Sequence, residues 1–286
     1  STVINLKGNL YKAAAAYLTN SNSSGYTNDA LNFTGSGTTQ TIDVATQSTN
    51  DFMRTRLFVK GGAYVQLINR DLNFGTSSGI TVEDLGTLDF GFNGSSTTGW
   101  IMGIAGSNTG TYFTSNQGST LKITHLQGIS TTGSIGNVQV LAGNRSFSQV
   151  ATFWYIGRDN QVTGNGINTT STAKIIICDL VDNTKQLTFT NSTGITATTT
   201  ISATGGKLDI RKGQVIESTT AYITGSTGTL YMSPGTLYYV PVGYSALTTE
   251  SGSSGGTYIP RLLGSAFSYN LTGGTIELAG TGASHV

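Results

Sequence analysis

The chain has 286 residues, of which 10% are charged, 37% are hydrophobic and 39 are glycine; its formal net charge is +1. Ordinary soluble domains carry roughly 25% charged residues, and the 15 basic residues here form no stripe that would hold nucleic acid. No run approaches 18 consecutive apolar residues, so no membrane-crossing helix is expected, and a single cysteine excludes an intrachain disulfide framework.

Solubility must then come from hydroxyls and amides, and the same residues favour short strands and tight turns. The opening Ser1-Thr2-Val3-Ile4-Asn5-Leu6 is strand-like, almost uncharged, and reads as a mature terminus or a fragment. Leu10–Leu18 carries four alanines, which permits one short N-terminal helix or an extended run. Leu57-Phe58-Val59 and Tyr64–Ile68 flank Gly61-Gly62, the pattern of a hairpin or a corner. Gly136–Leu141 and Val150–Ile156 read as strands, and Ile175-Ile176-Ile177-Cys178 as an apolar run with a buried thiol. In Lys207-Leu208-Asp209-Ile210-Arg211 the leucine and isoleucine alternate onto one face.

Strand-length runs broken by Gly, Asn or Ser every 8 to 12 residues define an all-β chain. Gly-x-Leu recurs at Gly86, Gly206, Gly228 and Gly235, with Gly274-Thr275-Ile276 a close variant. The 22-residue step from Gly206 to Gly228 matches one coil of a parallel β-helix. The expected fold is therefore a β-solenoid of the parallel β-helix type, with a β-sandwich or jelly roll as the alternative. Residues 1–140 read as an N-terminal all-β region and 141–286 as a β-helix-like region, or the two as one continuous domain.

Catalytic grammar is sparse. The two histidines are His125, alternating with apolar neighbours, and His285, at the terminus. No nucleophile elbow, zinc-protease helix or phosphate loop occurs. Glu83-Asp84 would point to opposite faces of a strand, while Asp179 and Asp182 read as an acidic turn rather than a calcium loop. No catalytic residue, metal ligand or cofactor is expected. Arg54, Arg56, Lys60 and Arg70 form a local basic cluster that reads first as a solvated strand face, with a seat for an acidic glycan as the alternative. Trp100, Trp154, Tyr155, Tyr238 and Tyr239 are the aromatic candidates for stacking a sugar ring. Of these, Trp100, Tyr238 and Tyr239 are carried forward as glycan contacts, whereas Trp154 in its apolar run favours the core. The Asn-x-Ser/Thr sequons at Asn22, Asn32, Asn93, Asn144, Asn168, Asn191 and Asn270 are about what chance supplies in so Ser- and Thr-rich a chain.

Several phrases carry a family likeness: Ala142-Gly143-Asn144-Arg145, Asn160-Gln161-Val162-Thr163-Gly164-Asn165-Gly166, Leu187–Ile195 and Gly205–Ile210. They resemble the rungs of the β-helical surface proteins and gliding-type adhesins that Bacteroidetes export through the type IX secretion system. Tyr239-Val240-Pro241-Val242-Gly243 is similar to the element that closes the helix in that family. Phage tail spikes and two-partner-secreted haemagglutinins share the same grammar. The resemblance spans about residues 142–243 and implies a secreted, cell-surface β-helix.

These readings converge on a non-enzymatic extracellular structural or adhesive protein. Uncharged terminal strands suit edge pairing into a homo-oligomer or filament, with Val3, Ile4, Leu6, Ile276 and Leu278 as its contacts. The alternative is a carbohydrate- or receptor-binding module of a larger adhesin or phage tail protein, holding surface glycans.

Overall fold

The structure, a computed structural model, describes residues 3–13, 29–44, 53–75, 77–92, 94–96, 102–103, 111–130, 135–166, 175–190, 195–196, 206–217, 223–224, 228–241 and 267–279. Every strand-to-strand ladder among them is parallel, and each strand pairs with one a full coil away in sequence. A ten-stranded sheet runs from Leu10–Lys12 to Phe267–Leu271. It is flanked first by a six-stranded sheet, Val3–Leu6 to Arg145–Phe147, and later by a five-stranded one, Gln161–Val162 to Thr275–Ala279. Leu72–Asn73, Met102–Gly103 and Val138–Gln139 form a third side, and Ile195–Thr196 pairs with Ile223–Thr224. This is a parallel β-helix-like solenoid. A sandwich would need antiparallel sheets joined by hairpins, and the Gly61-Gly62 turn is accordingly a corner: the strands it joins, Arg56–Val59 and Tyr64–Ile68, lie in different sheets.

Alternation builds the core. Val65, Leu88, Leu121, Phe153, Ile176, Leu208 and Leu230 stack in register as one inward column of the ten-stranded sheet, all buried. From the six-stranded sheet Leu31, Leu57, Ile80 and Phe113 form a facing column. Phe113 meets Phe147 at 5.4 Å and Phe147 meets Phe153 at 6.0 Å between ring centroids, closing the interior between the two sheets.

Corners are sealed by inward amides. Gln40 donates to the carbonyls of Leu6 (3.0 Å) and Gly8 (2.7 Å) in the coil below and accepts from Gly35 N–H (2.7 Å). Gln161 repeats the device, donating to Ile123 (3.1 Å) and His125 (2.9 Å) and accepting from Gly157 (3.1 Å). Both satisfy backbone groups that a turn would otherwise bury unpaired.

Of the alanine-rich run, Leu10–Lys12 is a strand paired with Ile42–Val44, and 14–18 lie outside the described residues. Among the described residues one 3-10 turn, Ala142–Asn144, is the helical element, and none of them forms a helix long and apolar enough to cross a membrane. The ten-stranded sheet passes residue 140 without a break, Thr120–Ile123 pairing with Thr152–Tyr155.

Candidate functional site

Outward positions of the ten-stranded sheet carry a second layer of packed side chains. In one column Gln66, Asp89, Lys122, Trp154, Ile177, Asp209 and Tyr231 follow one another, one per coil. The Lys122 ammonium lies 4.4 Å from the Trp154 ring and 5.0 Å from that of Tyr64, and Arg211 covers Trp154 at 4.6 Å. Lys207 sits 4.6 Å over Tyr231. Beneath these groups lie carboxylates. Asp89 is buried and accepts from the Tyr64 hydroxyl, from Gln66 (3.2 Å) and from Gly91 N–H (2.7 Å). Asp209 pairs with Lys207 and Arg211, each at 3.0 Å. Asp179 accepts from the Trp154 indole at 3.2 Å. Burial, with the Asp89 charge and hydrogen bond behind it, pushes the Tyr64 hydroxyl up, so it stays a donor. Ile177 points outward yet is only 5% exposed.

The layer is charge-balanced: Lys122, Lys207 and Arg211 set against Asp89, Asp179 and Asp209. Each of these carboxylates has at least one oxygen engaged by a neighbouring donor, which braces the layer across successive coils. Elsewhere Glu83 pairs with Lys60 (2.5 Å) and Asp159 with Lys185 (2.9 Å), the latter bond holding Asp159 below the usual carboxylate range. Asp182 caps its own turn through Thr184. Among the described residues no three His, Cys, Asp or Glu side chains gather as a metal site. His125 is half-buried; its Nδ1 accepts from Gln127 N–H at 3.1 Å, and burial lowers its pKa.

The aromatic expectations are redistributed. Tyr238 is not a surface contact: it is fully buried between Val215 and Ile276 in the inward column of the five-stranded sheet, its hydroxyl donating to Glu217 at 2.6 Å. Tyr239 faces the other way and is half-buried. Trp154 is not in the core, because Phe153 and Tyr155 on either side take the inward positions. Tyr155 is buried, and its hydroxyl donates to the Thr163 carbonyl at 2.9 Å. Trp100 lies outside the described residues. Tyr64, Lys122 and Tyr231 were missed; their signal is an outward place in strands whose alternate residues are aliphatic.

The two ends are the other candidate surface. Val3 (54% exposed), Ile4 (49%) and Tyr11 (66%) lie on the first coil, and Leu271 (45%) on the last. Leu6 and Leu10 at one end, and Tyr269, Ile276 and Leu278 at the other, pack on the core from one side and are only partly buried. No protein family model matches the chain, and no curated protein or solved structure is significantly similar to it.

Proposed function

We propose that the protein is a non-enzymatic extracellular structural and adhesive protein of the cell surface, whose copies join end to end into a filament. One observation carries this reading: each terminal coil has a one-sided parallel strand edge among the described residues, with apolar side chains left uncovered. Such an edge is a template for another chain. The ten-stranded sheet reaches both ends with the same strand direction, and Leu10 and Leu271 stand in the same inward column. A second copy stacked one coil further would therefore set Leu10 over Leu271, continuing both sheet and core as a head-to-tail contact. The engaged carboxylates support a structural role, and the likeness of residues 142–243 to exported β-helical surface proteins supports the extracellular setting.

Sedimentation velocity across a concentration series, with electron microscopy of the same samples, tests the proposal. The intact protein is expected to form rods that lengthen with concentration, and Leu10→Lys or Leu271→Lys to stop them at one copy. A monomer at the highest concentration, both termini intact, would overturn it.

A further inference from the structure

A cleft of about 280 Å³ opens on the flank of the solenoid, where the chain leaves the ten-stranded sheet. Gln127, Ser130, Ile135, Val162, Asn165 and Thr190 line it. Two of its walls are backbone segments clasped together: Val162 N–H donates to Leu126 (2.9 Å), Ile129 N–H to Thr163 (3.2 Å) and Gly166 N–H to Ile129 (2.7 Å); Thr190 adds a third from the next coil. Only glycine permits this approach. Gly128 and Gly164 have φ of 56° and 78°, and a Cβ on them would fall 2.3 Å from the Val162 oxygen and 2.1 Å from the Ile129 oxygen. Backbone held so closely keeps the cleft open without a ligand, which lowers the cost of binding.

The lining selects a chemical class. Among the described residues no ionisable side chain lines the cleft, so these residues would meet a phosphate, a carboxylate, a sulfate or a metal ion without a counter-charge, at large desolvation cost. The exposed carboxamides of Gln127 and Asn165 carry donors and acceptors together, which is what a ring of alternating C–OH groups requires, while the Ser130 hydroxyl is buried and that of Thr190 accepts from Gly164 N–H at 3.0 Å. Ile135, 43% exposed, and half-buried Val162 give the apolar surface that the C–H face of such a ring would cover. The volume falls just below the range of small-molecule sites, roughly 300–1,000 Å³, the scale of one sugar unit rather than a chain.

We propose that this cleft binds a single neutral sugar residue presented at the end or branch of a surface glycan. The site is remote from the terminal strands, so it stands whether or not copies join end to end.

Saturation-transfer NMR on the whole chain tests it with the methyl glycosides of glucose, galactose, mannose and N-acetylglucosamine, and with glucuronate and glucose 6-phosphate as charged comparators. At least one neutral glycoside is expected to receive saturation. Its affinity should fall about tenfold in Asn165→Ala and in Gln127→Ala, the loss of roughly one hydrogen-bonding group. Both side chains are exposed and outside the packed core, and an unchanged melting temperature is the control for each variant. Tyr11→Ala, on the first coil, should leave binding unchanged. Three results would each overturn the assignment: no transfer to any of the four neutral glycosides, transfer to the charged comparators alone, or binding that survives both cleft variants.

Discussion

Gln161 is 1% exposed and its one amide group completes three backbone partners in two successive coils. Gln161→Ala would leave two carbonyls and one N–H to find water or none. A loss of about 3 kcal/mol is expected, read from the urea midpoint at unchanged slope. Arg145 is the opposite case. It points inward beside Phe113 with one bond, Nη1 to the Val138 carbonyl at 3.2 Å, while Nε and Nη2 are buried without a hydrogen-bond partner among the described residues. Burial lowers its pKa, yet a guanidinium stays charged at any ordinary pH. Arg145→Met keeps the length and removes the charge, so the variant should be more stable by about 1–2 kcal/mol; a lower melting temperature would refute this.

At the scale of strands, the outer layer couples coils that are remote in sequence. Trp154→Ala would uncover Ile177, release Lys122 and Arg211 from the ring, and leave Asp179 without its indole donor. About 2–3 kcal/mol should be lost, with a coupling of about 0.5–1 kcal/mol to Lys122→Met in a double-mutant cycle. Zero coupling would make the stack incidental. Much of the inner face could be read from the sequence, because Leu208 and Ile210 alternate with charged residues and fall on the buried side as expected. Where every residue is apolar or aromatic, alternation leaves no mark. Phe153-Trp154-Tyr155 and Leu237-Tyr238-Tyr239-Val240 look alike on both faces, so the pattern puts Trp154 inside and Tyr238 outside, the reverse of where they stand. Only the strand register, set by neighbours one coil away, decides which side is in. The cleft is illegible for a related reason: its walls come from three segments that meet only when coils stack.

Across the whole molecule, Gly206 and Gly228 do stand one above the other at the same corner, so the 22-residue echo is one true coil. Gly235 belongs to another place, the entry to the five-stranded sheet, since Leu237 pairs with Gln214. Along Val65, Leu88, Leu121, Phe153, Ile176, Leu208 and Leu230 the steps are 23, 33, 32, 23, 32 and 22 residues. The coils differ in length while this column stays in register, so the period is blurred in sequence and regular in space. Stability in such a stack is nearly a sum of coil and neighbour terms, and opening can start at either end.

Cys178 lies in the inward column between Tyr155 and Ile210, fully buried, with burial foremost among the causes that raise its thiol pKa. A folded coil therefore hides the chain's single thiol from any alkylating reagent, and only unzipping of the neighbouring coils exposes it. The protein thus carries its own stopwatch. Iodoacetamide labelling should be far slower in the native state than in urea, and the proposed end-to-end joining predicts that it slows again as protein concentration rises. Labelling that ignores protein concentration would mean that the coils around Cys178 open on their own schedule, independent of the ends.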